Sequence, residues 1–310
     1  MIVDLPDTTV SKIARSLVNV REEGGAVALG RVLTLVIVTA HGLQEDAIEA
    51  ANDASREHPM RVIVLMCDPA GEARLDAQIR VGGDAGASEV IVLRAGGAAA
   101  SNQESLVTGL LLPDAPVVAW WPDEPPAQPA LSPIGRMAQR RITDAATKPY
   151  AKDRLSRLGP SYAPGDTDLA WTRLTHWREQ LAAVLDQPPY DPVTDVEVVG
   201  AGSSPSTGLL AAWLRLKLEV EVTWRYARSE DWDHGIKSVR LVRASGDIVL
   251  ERSTDIDATL TQPGQPSHDI VLPRRTLREC LAEELRRLDP DVLYGRVITE
   301  GWDLLGPPTI

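Results

Sequence analysis

A loop rich in small hydroxyl residues carries the most concrete chemistry that can be inferred from this sequence. It reads Gly-Ala-Gly-Ser-Ser-Pro-Ser-Thr-Gly from Gly200 to Gly208, between an apolar run that predicts a strand and another that predicts a helix. Anions bind at such a junction because a helix start offers unpaired backbone amides and the positive end of the helix dipole. The side chains that could add hydroxyl groups are Ser203, Ser204, Ser206 and Thr207.

This loop lacks the residues of the common phosphate-binding motifs. It contains no lysine and no Gly-Lys-Ser/Thr, so it is not a Walker loop, and its glycines do not match the dinucleotide fingerprint. Two interpretations of Gly200–Gly208 therefore stay open. It is either an anion-binding loop or a flexible connector that ends in a helix cap.

A polar stripe on a predicted helix is the second candidate. Asp168, Trp171, Thr175 and Arg178 follow one another at steps of three and four residues, which places them along one side of a helix, and Arg173 lies between them in sequence. An acid, an indole, a hydroxyl and a guanidinium in one row suit either an interdomain seam or a surface that contacts a partner. We favour the seam.

Two adjacent tryptophans end a short apolar run that prolines enclose. Trp120 and Trp121 follow Val-Val-Ala and precede Pro122, which cannot continue a sheet ladder. The run predicts a buried strand whose two indoles point to opposite faces. The tryptophans are either core residues or an aromatic edge that a partner contacts, because aromatic side chains are enriched in interface cores.

Signals for catalysis, metals or cofactors are otherwise missing from the sequence. The five histidines are scattered with no pair at helical ligand spacing, and there is no Cys pair of a zinc motif. There is no Gly-x-Ser-x-Gly elbow. We expect no catalytic residue, no metal site and no cofactor.

The elements that must position these residues fall into two classes along the chain. Residues 32–39 and 61–67 are aliphatic strands joined by a helical pattern at 43–56, which predicts a parallel pair with a right-handed crossover. The first half is therefore predicted to be an α/β domain with a mixed, partly parallel sheet. A helix over residues 166–185, capped by Asp166 or Thr167, is predicted to follow it.

Residues after 190 change character. A strand at 196–200 and a helix at 209–218 precede a cleanly alternating strand at 219–226 and several short strands with turns between them. This order predicts an α+β C-terminal domain with an antiparallel sheet backed by helices. We predict domains at 1–165 and 166–310, or a boundary near 188, where Pro188-Pro189 begins a stiff connector.

Length and charge limit the kinds of partner. A chain of 310 residues with 44% hydrophobic residues suits two domains. The formal net charge of -12 disfavours nucleic acid and anionic membranes as partners. Cys67 and Cys280 are the two cysteines, and both lie in apolar patterns that suit free thiols. With neither a leader segment nor a spanning apolar run, we expect a cytoplasmic protein.

Three stretches in this order resemble one family. Ala-Pro-Val-Val-Ala-Trp-Trp-Pro at 115–122, Arg-Ile-Thr-Asp at 141–144 and Asp-Leu-Ala-Trp-Thr-Arg-Leu-Thr-His-Trp-Arg at 168–178 look like the OpcA-type glucose-6-phosphate dehydrogenase assembly protein. The Gly-Ser-Ser-Pro loop before Trp213 and the Val-Thr-Trp-Arg-Tyr strand fit as well. The resemblance implies a non-catalytic partner that promotes assembly or activation of the NADP-linked dehydrogenase that opens the oxidative pentose phosphate pathway. It supplies no catalytic residue.

Two functional hypotheses follow from the residues and the resemblance. The first is an assembly factor and allosteric activator of glucose-6-phosphate dehydrogenase, which acts by binding one state of the enzyme better than another. The second is an enzyme or sensor that binds a phosphorylated sugar or a nucleotide at Gly200–Gly208, with a sugar phosphate as the effector.

Overall fold

The structure is a computed structural model that describes residues 1–23, 30–82, 89–147, 157, 159–228, 232 and 235–309. The chain forms two compact units that interleave along the sequence. Unit 1 comprises Met1–Asp144, Gly165–Thr167 and Leu277–Pro290, and unit 2 comprises Ala145–Pro164, Asp168–Thr276 and Asp291–Ile310.

Unit 1 is built on an eight-stranded sheet in the order β1-β4-β5-β3-β2-β6-β7-β8. Pairs β5–β3, β3–β2, β2–β6 and β6–β7 are parallel, whereas β4 pairs antiparallel with both β1 and β5. The predicted mixed, partly parallel sheet is thus confirmed. The strands are β1 (Ile2–Leu5), β2 (Leu33–Val38), β3 (Met60–Asp68), β4 (Arg74–Val81), β5 (Glu89–Gly96), β6 (Val117–Trp121), β7 (Arg140–Thr143) and β8 (Asp166–Asp168).

Burial follows the strand patterns of unit 1. Strands β2 and β6 are buried almost throughout, as expected for parallel strands covered on both faces, and β4 alternates between buried and partly exposed residues. The α-helices of this unit are Val10–Glu23, Gln44–Ala54, Gln103–Thr108 and Leu277–Arg286, with 3₁₀ turns at Gly97–Ser101, Pro129–Leu131 and Gly135–Met137.

Unit 2 contains a six-stranded sheet in the order β10-β9-β11-β12-β13-β14. All its pairs are antiparallel except β10–β9, which is parallel, so the predicted antiparallel sheet backed by helices is confirmed with one parallel pair added. The strands are β9 (Val193–Gly200), β10 (Glu221–Tyr226), β11 (Ile236–Arg243), β12 (Ile248–Arg252), β13 (Asp257–Thr261) and β14 (His268–Val271).

The helices of unit 2 cover an apolar core that includes Trp171, Trp177 and Trp224. They are Leu169–Thr172, Thr175–Leu185, Pro205–Leu218 and Val292–Arg296, with a 3₁₀ turn at Ala145–Thr147 and a π-helical turn at Val297–Gly301. In the part of the chain that the structure describes, no helix is both long and apolar enough to cross a membrane.

One predicted helix is wrong in its start and its continuity. The sequence predicted a single helix over 166–185, whereas the structure has Leu169–Thr172 and Thr175–Leu185 as separate helices. The first begins at Asp168, whose backbone is extended and whose carboxylate accepts a hydrogen bond from the N–H of Ala170. A carboxylate in that position is a strong helix cap, so helical structure starts after it.

The predicted boundary at 165, or near 188, assumes that the two domains follow one another along the chain, and it stays a prediction. The compact units exchange the chain after Asp144 and again around Thr167, and the segment Leu277–Pro290 belongs to unit 1. Its Leu277–Arg286 helix packs beside the Gln44–Ala54 helix. That return was not visible in the order of the sequence patterns.

Candidate functional site

A cavity of about 420 Å³ lies in unit 2. The loop after β9 and the start of the Pro205–Leu218 helix meet the first residue of β11 and the last residue of β12 there. Its described lining residues combine arginines and serines with apolar side chains, and none of them is acidic. We call this cavity the arginine–serine pocket. The described residues that line it are Ala146, Arg173, Leu174, Trp177, Ser203, Ser204, Ser206, Gly235, Ile236, Arg252, Pro273, Arg274 and Arg275.

The helix start at this pocket has no side-chain cap. Ser204 occupies the cap position with an extended backbone, but its hydroxyl makes no capping hydrogen bond. Pro205 takes the first helical position, and the first turn contains no acidic residue. The hydroxyl of Ser206 donates to the carbonyl of Ala170 at 3.0 Å. The positive end of a 14-residue helix therefore remains without a carboxylate partner on its own first turn.

Gly200 allows the loop to lie close to its neighbours. The N–H of Ala201 donates to the carbonyl of Gly235 at 2.8 Å. A Cβ atom on Gly200 would lie 2.3 Å from Oγ1 of Thr207 and 2.9 Å from the carbonyl of Gly235. Thr207 is fully buried behind the loop and does not line the pocket.

Arg252, the last residue of β12, is the most unusual group in the pocket. It is 4% exposed, and its Nη1 donates to the carbonyls of Asp255 and Leu272. Its Nε has no hydrogen-bond partner, and no described carboxylate forms an ion pair with its guanidinium. Burial lowers the pKa of Arg252 to about 10, the nearby charge of Arg274 acts in the same direction, and the carboxylate of Asp255 partly opposes both. Its side chain also lies 5.5 Å from the Trp177 ring centre.

Three further arginines surround the same space. Nε of Arg274 contacts Oδ1 of Asp255 at 2.6 Å, and Nη1 of Arg275 donates to the carbonyl of Thr172 at 2.9 Å. Arg173 ends the Leu169–Thr172 helix, and its N–H donates to the carbonyl of Leu169. A chain of net charge -12 thus gathers positive charge here, which favours an anionic ligand.

The structure brings part of the two sequence candidates together. Ser203, Ser204 and Ser206 from the loop share the pocket with Arg173, which lies between the residues of the polar stripe in sequence. Arg252, Arg274 and Arg275 were missed because they lie far along the chain and belong to no recognisable motif.

The remaining stripe residues pack within unit 2 away from the pocket lining. Asp168 is fully buried, and its carboxylate accepts hydrogen bonds from the N–H groups of Ala145 and Ala170. Nε1 of Trp171 donates to Oδ2 of Asp291 at 2.8 Å. The guanidinium of Arg178 lies 3.8 Å from the centre of the Trp171 ring, in cation–π geometry. The interdomain seam stays a prediction.

Both tryptophans of β6 are buried. Trp121 is 3% exposed and belongs to the apolar cluster of unit 1, and Trp120 is 0% exposed with no hydrogen-bond partner for its indole N–H. Side chains with so little exposed surface have a packing role in this structure. Contact of Trp120 or Trp121 with a partner therefore stays a prediction.

Unit 1 carries the strand order of a nucleotide-binding sheet without its phosphate site. The run β5-β3-β2-β6-β7-β8 matches the order 3-2-1-4-5-6 of doubly wound dinucleotide-binding folds, whose ligand lies where β2 and β6 end. There Asp123 accepts hydrogen bonds from the Thr39 hydroxyl and, at 3.4 Å, from the N–H of Ala40. The following helix begins with Glu45 and Asp46 in its first turn. These carboxylates occupy positions that favour a phosphate in such folds.

Comparison with known domain families identifies both parts of the chain. The family described as glucose-6-phosphate dehydrogenase subunit N-terminal domain matches residues 51–159, and the corresponding C-terminal domain family matches residues 164–298. Together with the fold, these matches define a two-domain protein of the glucose-6-phosphate dehydrogenase subunit type. The chain belongs to the OpcA family of glucose-6-phosphate dehydrogenase assembly proteins.

Two solved structures are similar to this chain, and the first of them supports the fold alone. An oxidoreductase from Sinorhizobium meliloti has 11% identity and a TM-score of 0.50, over 88% of this chain and 96% of that one. A biliverdin reductase from Synechocystis sp. PCC 6803, crystallised with biliverdin and NADP⁺, has 10% identity and a TM-score of 0.42, over 87% and 96%. Comparison with curated proteins gives no match.

Proposed function

We propose that this protein is a non-catalytic assembly factor and allosteric activator of NADP-dependent glucose-6-phosphate dehydrogenase in the oxidative pentose phosphate pathway. The observation that carries the proposal is the pair of OpcA-type domain matches, in order, across residues 51–298. Activation requires that the protein bind the active state of the enzyme more tightly than the inactive state, because a partner shifts an equilibrium only by its differential affinity.

The acidic residues at the ends of β2 and β6 in unit 1 support a role other than hydride transfer. The carboxylate of Asp123 sits at the crossing point of the sheet, and acidic residues occupy the first turn of the helix beside it. Glu45 is paired with Arg80 at 2.8 Å. The negative charge that a pyrophosphate would meet at this position is therefore that of Asp123 and Asp46. We therefore place the redox chemistry on the partner enzyme, and we place the complex in the cytoplasm.

Within residues 168–178, Arg173 and Arg178 are the side chains best suited to contact the enzyme. Both are partly exposed, whereas Asp168 and Trp171 are buried. Arginine is frequent among residues that dominate interface affinity. We propose them as enzyme contacts ahead of Trp120, which is fully buried.

The experiment that tests this function mixes the purified chain with the dehydrogenase of the same organism. We expect co-elution in size-exclusion chromatography, a larger dehydrogenase assembly by light scattering, and higher dehydrogenase activity. The chain alone should reduce no NADP⁺ with glucose 6-phosphate. Separate elution with unchanged dehydrogenase activity would contradict the proposal, as would turnover by the chain alone after rigorous purification.

A further inference from the structure

We propose that the arginine–serine pocket of unit 2 binds a small phosphate monoester, with the phosphate held by Arg252 and by the start of the Pro205–Leu218 helix. This inference concerns binding by the chain alone. It is independent of the proposed action on the dehydrogenase, and either one can fail without the other.

Arg252 is the strongest reason to expect an anion. A buried cation without an ionic partner is unfavourable, because the protein interior replaces its hydration poorly. Arg252 is 4% exposed, two backbone carbonyls accept from its Nη1, and its Nε donates to nothing. The carboxylate of the nearby acid, Asp255, acts on Arg252 only at a distance and pairs with Arg274. A bound phosphate would supply a countercharge that contacts the guanidinium directly.

The helix start is an independent reason. Ser204 occupies the cap position without making a capping hydrogen bond, and it lines the pocket. Pro205 follows at the first helical position, and the first turn contains no acidic residue. The N–H groups of Ser204 and Thr207 donate to the carbonyls of Ala201 and Ser204, so it is the helix dipole that favours a negative group at this place. The Ser203 and Ser204 side chains lie at the same wall and can contact the ligand directly.

The rest of the pocket limits the class of ligand. Several guanidinium groups around one cavity favour a dianion over a single carboxylate, and arginine matches phosphate geometry with paired donors. Leu174, Trp177 and Ile236 add apolar wall, which suits the carbon skeleton of a small metabolite. A cavity of about 420 Å³ lies within the range of roughly 300–1,000 Å³ of small-molecule sites.

Isothermal titration calorimetry of the purified chain tests the inference. The probes are glucose 6-phosphate, AMP and inorganic phosphate. Glucose is the matched compound that lacks the phosphate of glucose 6-phosphate, and gluconate tests a singly charged carboxylate. We expect at least one phosphate ester to bind and inorganic phosphate to compete with it. Glucose and gluconate should bind at least roughly tenfold more weakly than that ester. Equal binding of gluconate, or no heat from any phosphate ester at millimolar concentration, would overturn it.

Two variants place the ligand in this pocket. Arg252→Met keeps the length of the side chain without its charge, and Ser204→Asp adds a carboxylate at the helix start while remaining a good cap. Each should weaken binding by roughly tenfold or more, because a charge-assisted contact is lost or a like charge is introduced. The two act through different elements, so Ser204→Asp decides the matter if Arg252→Met does not fold.

The matched control is Arg240→Met. Arg240 lies on β11 in the same unit, is about half exposed and pairs with Asp247 instead of lining the pocket. This substitution removes the same charge as Arg252→Met and should leave the affinity for the phosphate ester unchanged. Normal binding by folded Ser204→Asp, or an equal loss in Arg240→Met, would rule out this pocket as the site.

Discussion

At Arg252, burial and charge act in opposite directions. Desolvation lowers the pKa of its guanidinium to about 10, far below that of an exposed arginine. The group nevertheless stays protonated at neutral pH, because its pKa remains well above 7. A buried cation therefore persists in the pocket under physiological conditions, and its cost is reduced whenever an anion is bound.

The first prediction concerns the pH dependence of phosphate-ester binding. A phosphate monoester has its second pKa near about 6, so affinity should fall as pH drops below that value and the dianion is lost. Affinity should fall again as pH rises through about 10, since Arg252 then loses its proton. Calorimetry across this range checks both limbs. An affinity that is constant from acidic to neutral pH would contradict dianion recognition.

The second prediction concerns the two thiols. Cys280 is fully buried, and burial raises the pKa of the partly buried Cys67 thiol. The thiolate is the reactive form, so Cys67 should react with an aromatic disulfide reagent at pH 8 more slowly than a free cysteine. Cys280 should react after denaturation, for a total of two thiols. A total of zero in freshly isolated protein would show that the two are joined.

At the scale of elements, the loop after β9 depends on glycine at its first position. Gly200→Ala places a Cβ against Oγ1 of Thr207 and the Gly235 carbonyl, at 2.3 and 2.9 Å. The third prediction is that this variant loses about 1–3 kcal/mol in the free energy of unfolding, because the backbone must shift to admit the methyl group. Gly306→Ala is the control, since nothing lies within 4 Å of its added Cβ. Denaturant melts of the two variants should therefore differ, and equal stability would count against the tight loop.

The fourth prediction concerns a buried ion pair in unit 1 between residues far apart in sequence. Arg140 of β7 donates to Glu284 of the Leu277–Arg286 helix, and both are about 95% buried. Nη1 of Arg140 also donates to the carbonyl of Asp289 at 2.7 Å. Arg140→Met leaves the acid buried without this partner, so the free energy of unfolding should fall by roughly 3–5 kcal/mol.

A double variant separates the cost of the stranded charge from lost packing. Arg140→Met combined with Glu284→Leu should recover a large part of the lost stability, because well-packed apolar side chains often replace a buried ion pair at little cost. Chemical denaturation of the single and double variants measures this coupling. A single variant as stable as the parent would show that the pair does not hold the helix in place.

At the scale of the molecule, the fold of unit 1 and its ligand chemistry point in different directions. The strand order is that of dinucleotide-binding sheets, whereas Asp123 and the acidic helix start occupy the place of the phosphates. The fifth prediction is that NADP⁺ leaves the melting temperature of the Ser204→Asp chain unchanged. This variant is used because the 2′-phosphate of NADP⁺ is itself a phosphate monoester that the arginine–serine pocket of the parent chain could bind. A ligand at 100 times its Kd would add about 2.7 kcal/mol, which a thermal shift assay detects.

The dehydrogenase itself is the positive control for that assay, because it binds NADP⁺ by definition. A stabilisation of Ser204→Asp by NADP⁺ would overturn the interpretation of the acidic residues at the ends of β2 and β6.

The class of both sheets was predictable from local patterns. Uninterrupted aliphatic runs such as Leu33–Val38 indicate strands buried on both faces, and the alternation in Glu221–Tyr226 indicates a strand with one exposed face. The short strands Ile2–Leu5, Arg140–Thr143 and Asp166–Asp168 were not predicted. Their few residues, some of them charged, carry too little periodicity, and pairing with longer strands decides their conformation.

The sequence by itself determined the fold classes, the loop Gly200–Gly208 as a candidate anion site, and the family through three ordered stretches. These follow from local pattern and from residue identity, which a linear chain displays. The tertiary structure decided that Arg173, Arg252 and Arg274 share a pocket with that loop, and that Leu277–Pro290 returns to unit 1. The reason is physical: side chains meet across a sheet through hydrogen-bonded register and core packing between distant segments, and neither leaves a short-range trace in the sequence.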